Sequence, residues 1–471
     1  MKRFGFLFIL VAILMAGCRP SGIRPGTARI SGTIQPVIKG YLNVTAGPVL
    51  DSARIGKDGS FSIDIPLKEP MKAMLFFNNR LTDVYLEPGK SIDLKINSTA
   101  FPNLTGYEGE LGPVNHYLTL ARKLDQQTMM TPAELFSREP EDFMRVTDSI
   151  RDLKLKLLEE YRTKYPEIDS GFVARAKADI GFAWADQRVL YPSSYQIFKG
   201  TIPVVGTEYY PELTEAVDLN ANSNLQSSVY REFIQDYLDY RAQAYLQKHG
   251  EIKKLIFPES VARFRVIHEE FANPQIIDYL LYSAMKDHLA SYGTIKVESF
   301  LTDFRLTCKN QDYVAQVNRM VEDMEKVALG EPAPDFTAYR PDGKKVKISD
   351  YFGQLLYIGF WASWSDWSLQ EIPYFEQLRK DFQGKPVKFI LLSMDFQKDK
   401  NRWKAIIDRN GFGSIQLIQD PESKVLGEKY FLQDIPRYFL IGKDGMIISA
   451  FAPRPTENIT ETLKRILAEE H

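Results

Sequence analysis

Along this 471-residue chain the spacing of apolar residues changes twice, and each spacing points to a different kind of element. From Thr27 to Ser98 the pattern is short and β-like. Val44, Ile55, Phe61, Ile63 and Ile65 lie in β-rich runs, and Ser60 to Ile65 alternates polar with apolar residues. The breaks carry turn chemistry, Lys57-Asp58-Gly59 and Glu87-Pro88-Gly89-Lys90. From Asn115 to Val327 the period becomes helical. Thr131-Pro132-Ala133-Glu134 has the form of a capping box with proline in the first turn. Phe143, Val146, Ile150, Leu153, Leu157 and Tyr161 recur by threes and fours until Pro166 ends the run. Tyr230, Phe233, Tyr237, Tyr240 and Tyr245 form a second stripe, read as core. After Leu329 the pattern alternates: strands at Leu355–Phe360, Pro386–Asp395, Tyr438–Ile441 and Met446–Phe451, and helices at Leu369–Phe382, Asn401–Arg409 and from Thr456. Such alternation specifies an α/β layered sheet. The expected chain is multidomain: a small N-terminal β-sandwich over 27–108, a central all-α region over 109–328 and a C-terminal α/β domain over 329–471.

The first residues carry a different signal. Lys2-Arg3 is a basic start, Phe4 to Met15 is almost purely apolar, and Ala16-Gly17-Cys18 places small residues before a cysteine. A spanning helix needs about 20 apolar residues, so 1–17 reads as a cleaved export signal. Small residues ahead of Cys18 resemble a bacterial lipobox, in which cleavage precedes the cysteine and its thiol is acylated; Met15 stands where that pattern prefers Leu. A plain secretory signal or an uncleaved signal anchor is the competing reading. With Cys18 lipidated, 18–26 is a tether, and lipid chains on one residue attach the chain to a membrane without a spanning helix. Arg19 at the next position resembles lipoproteins released to the outer membrane, which implies an envelope protein facing the periplasm.

Cys18 and Cys308 are the only cysteines, so acylation of the first leaves no intrachain disulfide. Cys308 is then best explained as a buried small apolar residue. The net charge of −2 becomes more negative on loss of Lys2 and Arg3, which gives no electrostatic reason to expect nucleic acid. His116, His249, His268 and His288 include no pair at metal-ligand spacing, so neither metal nor cofactor is expected.

Five motifs of the last segment carry a resemblance: Gly330-Glu-Pro-Ala-Pro-Asp-Phe336, Phe360-Trp-Ala-Ser-Trp364, Glu371-Ile-Pro373, Asp434-Ile-Pro436 and Phe439-Leu-Ile-Gly-Lys-Asp-Gly445. In this order and at these distances they resemble TlpA/ResA-like thioredoxin-family proteins, from Leu329 to the end of the sequence. The resemblance implies a thioredoxin-like α/β domain, with Ile435-Pro436 at the position of the cis-proline that faces the active site. The β-rich segment, ending in Val84-Tyr-Leu-Glu-Pro-Gly89, looks like the β domain often found ahead of such domains in bacterial lipoproteins.

Where the family places C-x-x-C, this chain has Ser365-Asp366-Trp367-Ser368. Thiol exchange needs a thiolate at the helix N-terminus and a second thiol to resolve the mixed disulfide. A serine hydroxyl does neither. A hydrolytic role for Ser365 would need an adjacent base, and the one histidine of the domain is the terminal His471. Ser365, Asp366 and Ser368 instead suit the cap and first turn of a helix. The expectation is a redox-inactive, membrane-anchored module that binds a protein or peptide partner, without enzyme activity. Trp364, Asp366, Trp367, Ile435 and Pro436 form its candidate rim, although Trp361 and Trp364 are also ordinary core positions of the family. The alternative is a thiol-disulfide oxidoreductase related to TlpA/ResA-like proteins, working through Cys308.

Overall fold

The computed structural model describes residues 26–102, 104–205, 217–420 and 426–469. Cys18 and the leader lie outside the described residues. The chain divides into two compact units, one ending at Val217 and the other starting at Asp218.

The first unit begins with eight strands: β1 (Thr27–Gln35), β2 (Tyr41–Ala46), β3 (Val49–Arg54), β4 (Ser60–Pro66), β5 (Met71–Phe77), β6 (Arg80–Leu86), β7 (Ser91–Asn97) and β8 (Leu104–Glu108). They form two four-stranded sheets, in the orders β4-β1-β7-β8 and β3-β2-β5-β6. One buried cluster joins inward residues of both, Ile30, Ile63, Ile92 and Leu94 from the first sheet with Val44, Leu75 and Val84 from the second, which is the packing of a sandwich. The expected turns are present. In Glu87-Pro88-Gly89-Lys90 the Lys90 N–H donates to the Glu87 carbonyl at 3.2 Å, and Gly89 takes φ +83°, the conformation that favours glycine after a turn proline.

Helices α1 (Gly112–Thr128), α2 (Pro132–Phe136), α3 (Pro140–Lys164) and α4 (Ser170–Lys199) follow. Thr131 caps α2 with the reciprocal Glu134 bond of a capping box. The buried stripe of α3 is Phe143, Thr147, Leu158 and Tyr161, whereas Leu153 is exposed. Thr147 is tolerated inside because its hydroxyl donates to the Phe143 carbonyl at 3.0 Å, a local pairing that apolar spacing does not reveal. Tyr117, Leu158, Tyr161 and Phe172 of these helices share the core of the sandwich.

Asn115 of α1 also meets the sandwich by hydrogen bonds. Its buried side chain accepts from Tyr85 N–H at 2.7 Å and donates to the Tyr85 carbonyl at 3.0 Å, on the open side of edge strand β6.

The second unit holds helices α5 (Ser228–Lys248), α6 (Pro258–Glu270), α7 (Pro274–Tyr292), α8 (Glu298–Thr307) and α9 (Gln311–Glu325), followed by the α/β domain. On α5, Tyr230, Phe233 and Tyr237 are buried, while Tyr240 and Tyr245 are half-buried. The domain comprises β9 (Thr337–Tyr339), β10 (Lys345–Lys347), β11 (Leu355–Trp361), α10 (Asp366–Asp381), β12 (Val387–Ser393), α11 (Lys400–Asn410), β13 (Ile415–Gln419), α12 (Leu426–Lys429), β14 (Arg437–Ile441), β15 (Ile447–Ser449) and α13 (Ile459–Glu469). Seven strands form one sheet in the order β10-β9-β13-β12-β11-β14-β15. β11, β12 and β13 run parallel, and β14 is antiparallel to β11. Alternate residues of β11 enter two cores. Leu355, Tyr357 and Trp361 pack with Phe375, Trp403 and Leu463 of the helices, while Leu356, Ile358 and Phe360 pack with Ile390, Tyr430 and Phe439. The structure is thus a β-sandwich, a helical region and a thioredoxin-like α/β domain.

Replacing Asn115 by alanine leaves the Tyr85 N–H and carbonyl without their buried partner. An orphaned buried polar group costs about 1–3 kcal/mol, so Asn115→Ala is expected to lower the thermal midpoint of the full chain followed by circular dichroism. An unchanged midpoint would count against this role.

Candidate functional site

The seven residues of β11 are all buried, and Trp361 at its end accepts from the Met394 N–H at 2.7 Å. The chain then turns through Ala362 and Ser363 into α10. Asp395, with no exposed surface, holds this turn. Its carboxylate accepts from the Ser363 N–H at 3.0 Å, the Ser363 hydroxyl at 2.9 Å and the Ser393 hydroxyl at 2.6 Å. A buried carboxylate is tolerated when its oxygens are filled by donors in this way. The contact joins residues 32 positions apart, and nothing in the local spacing points to it.

Ser365 is the N-cap of α10. Its Oγ accepts from the Ser368 N–H at 3.3 Å and from the Ser368 hydroxyl at 2.9 Å. The first bond satisfies an orphan donor of the helix start. Ser368 is buried, so its hydroxyl has turned towards Ser365 rather than to solvent. Asp366 in the first turn places negative charge at the positive end of the helix. The arrangement is that of a capped helix, with no histidine bonded to either hydroxyl among the described residues. His471 lies outside them.

The Ile435–Pro436 peptide bond is cis, and Pro436 is buried. Register locates it. Phe360 faces Arg437 across the β11–β14 ladder, so Pro436 follows at the same end of the sheet where β11 runs into the serine turn. The two segments singled out from sequence therefore share one end of the domain.

The tryptophans divide cleanly. Trp361 and Trp403 are in the core, while Trp364 is 53% exposed and Trp367 68% exposed. Trp364 is thus exposed and not in the core. The Arg454 guanidinium lies 6.0 Å from the Trp367 ring centre. Tyr374, seven residues on along α10 and so on the same face, is exposed as well. Between them in sequence is Glu371, whose Oε1 accepts from the Thr456 hydroxyl at 2.9 Å and whose buried Oε2 has no partner. Burial pushes the Tyr438 phenol well above its ordinary range, and the charge of Glu371 adds to the effect.

The other candidate groups sit elsewhere. Cys308 is buried, its thiol directed at the Asn310 carbonyl at 3.7 Å, and burial pushes its pKa up to about 11. His116 bonds the Tyr161 hydroxyl at 2.5 Å, His268 bonds Asp303 at 2.8 Å, and His249 lies 3.5 Å from Glu251. His288 is buried with Nδ1 at 2.9 Å from the Ser260 hydroxyl; its Nε2 has no partner, so no acid orients this serine–histidine contact. Among the described residues no group of three or more His, Cys, Asp or Glu is placed to hold a metal, and no helix is long and apolar enough to cross a membrane.

The sheet order and the helix that follows β11 define a thioredoxin-like domain. Its residues 329–450 match the AhpC/TSA family, which makes this segment a thioredoxin-family domain, and residues 28–110 match a domain of unknown function, DUF4369. The segment is 29% identical over 145 residues to the thiol-disulfide oxidoreductase ResA of Bacillus thuringiensis (strain Al Hakam), which spans 31% of this chain and 82% of that protein. It is 24% identical over 142 residues to ResA of Bacillus subtilis (strain 168), 30% of this chain and 77% of the relative. A Bacteroides vulgatus structure described as a thiol-disulfide oxidoreductase is 32% identical, covering 30% of this chain and 98% of that one, with a TM-score of 0.28.

Two outcomes follow from these contacts. Asp395→Ala deprives the Ser363 N–H and two hydroxyls of their acceptor, so it is expected to destabilise the domain by at least the cost of one orphaned donor, about 1–3 kcal/mol. Tryptophan fluorescence reads this, because four of the five tryptophans are in the domain. His288 sets a pH dependence. Burial lowers its pKa to about 4 from an ordinary 6.5, so between those values the unfolded chain binds the proton and the native fold does not. Its contribution is full above about pH 6.5 and falls as pH drops towards 4. The thermal midpoint of the wild type should fall through that window more steeply than that of His288→Gln.

Proposed function

We propose that this chain is a lipid-anchored envelope protein whose thioredoxin-fold domain is redox-inactive and binds an extended protein or peptide segment. The observation that carries the reading is the pair of serines, Ser365 at the N-cap and Ser368 one turn on, at the place where the resemblance to TlpA/ResA-like proteins puts both thiols. A helix N-terminus lowers a thiol pKa towards neutrality, but a hydroxyl there forms no S–S bond and accepts no electrons from a thiol. What the end of the domain retains is a recognition surface. Trp364 and Trp367 expose large area, and backbone beside a cis-proline suits the edge-on docking of an extended peptide. Arg454 beside Trp367 and Asp366 at the helix start add polar contacts of both signs around the aromatic rings. Anchoring rests on the lipobox-like Ala16-Gly17-Cys18 and places the partner in the envelope, facing the periplasm from the outer membrane.

The competing reading, a thiol-disulfide oxidoreductase, is favoured by the names of the relatives. In this chain the reaction would fall to Cys308, which is buried and holds its proton more firmly than an ordinary thiol.

The full chain with Cys18 replaced is expected to reduce insulin with dithiothreitol no faster than serum albumin does; clear acceleration would overturn the inactive reading. Ser365→Cys combined with Ser368→Cys, treated with oxidised glutathione, should form an internal disulfide, seen as a loss of two mass units and of thiol titre, because the two side chains already touch. In crosslinked pull-downs from envelope extract, Trp367→Ala is expected to lose partners that the wild type recovers. Equal recovery of every partner would remove the rim from the site.

A further inference from the structure

The sandwich has a second surface without an assigned role, the outer face of the β3-β2-β5-β6 sheet. Strand alternation places Tyr41, Leu50, Met74, Phe76 and Leu81 on that face, and all five are exposed, Leu50 by 76% and Tyr41 by 57%. Register makes them neighbours. Phe76 pairs with Leu81 and with Asn43, and Thr45 lies between Leu50 and Met74. A contiguous set of large apolar side chains on a solvent face marks a contact surface.

Charge and chain path indicate what covers it. The same alternation puts Arg54 and Lys72 on this face. Its one carboxylate, Asp83, is already paired with Arg122 of α1. A two-fold contact with a second copy would bring this basic, apolar patch against itself with no unpaired acid among the outward strand positions to meet it, whereas anionic lipid headgroups complement it. The chain also enters the sandwich close by. The Leu67 N–H donates to the Gly26 carbonyl at 2.8 Å, four residues before β5 starts at Met71. The Met71 methyl lies 3.4 Å from the Cβ position of Gly47, at the tip of the β2–β3 hairpin that carries Leu50. The N-terminal entry and this end of the patch are therefore at the same end of the sandwich. Arg19 to Gly26 is eight residues, a span of at most about 26–29 Å, so an anchor at Cys18 keeps this end within a short reach of the bilayer.

We propose that the outer face of this sheet is a membrane-contact surface, which lies on an anionic lipid surface with Leu50, Met74, Phe76 and Leu81 at the headgroup boundary and Arg54 and Lys72 against lipid phosphates. The proposal rests on the anchored reading of Cys18 for its geometry, and the two fail separately. Apolar area and basic charge act together in such binding.

The test uses the chain from Arg19 to His471, which retains every described residue and carries no lipid. Cosedimentation is measured with vesicles of phosphatidylethanolamine and phosphatidylglycerol, and with phosphatidylcholine vesicles as a neutral control. The wild type is expected to bind the anionic vesicles, more weakly as salt rises, and Leu50→Glu with Phe76→Glu to bind about tenfold or more weakly, given the loss of two apolar contacts. Arg54→Gln with Lys72→Gln, which leaves the apolar residues in place, should weaken binding to anionic vesicles only. Circular dichroism confirms that each variant is folded. No binding by the wild type, or equal binding by all forms, overturns the proposal. A wild type that is dimeric by analytical ultracentrifugation, becomes monomeric in Leu50→Glu with Phe76→Glu and ignores vesicles overturns it in favour of a second copy. Mass analysis of Cys18 in the full-length protein made in a bacterial host judges the anchor independently: vesicle binding through the patch without acylation would retain the surface and discard the anchor.

Discussion

A carboxylate with no exposed surface shapes the end of the α/β domain where β11 runs into α10. Asp395 stands just past β12 and gathers the backbone and hydroxyl of Ser363 together with the hydroxyl of Ser393. Those donors offset the desolvation of its charge, and the charge in turn fixes where the chain leaves β11. Trp364 and Ser365 are the next residues. The turn leads the chain directly into the N-cap of α10. An apolar side chain in place of Asp395 would leave buried donors facing nothing.

The serine pair shows how a helix that follows a buried strand closes its own start. A helix that starts at the end of a buried strand must satisfy its first N–H groups, whatever chemistry takes place beside them. Ser365 does so with its own oxygen, and Ser368 donates back to it. The same helix-end field that stabilises a thiolate stabilises the carboxylate of Asp366. Around them Trp364, Trp367 and Tyr374 keep apolar area in solvent.

What could be read from the sequence was set by the range of the interactions concerned. The Pro88-Gly89 turn, the Thr131 capping box and the helix cap at Ser365 are closed within four residues, and each stands where the local pattern puts it. β11, with seven buried residues in a row, was equally legible. β13 was not, because Gln416 and Gln419 occupy buried positions and interrupt its apolar signal. Their side-chain N–H groups donate to Ser414 Oγ at 2.7 Å and to the Met394 carbonyl at 2.6 Å. The Asp395 clamp and the Glu371–Thr456 contact bridge distant parts of the chain, and residue spacing carries no trace of such pairs. The leading residues, from which the anchor is inferred, are legible in sequence alone. The exposure of Trp364 was not legible, because the family resemblance also allowed it a core position and its side chain follows a turn held by the distant Asp395.

Asn115 has a consequence for how the sandwich behaves among other proteins. An edge strand exposes backbone donors and acceptors that any extended chain can use, and this is the usual route from a β-sheet to an aggregate. At Tyr85 both groups of β6 are occupied by one amide from α1. The helix therefore acts as a stopper on that edge. Until it docks, the sheet is open to another strand, so a nascent chain that has completed its strands but not yet Asn115 passes through an interval in which self-pairing competes with folding.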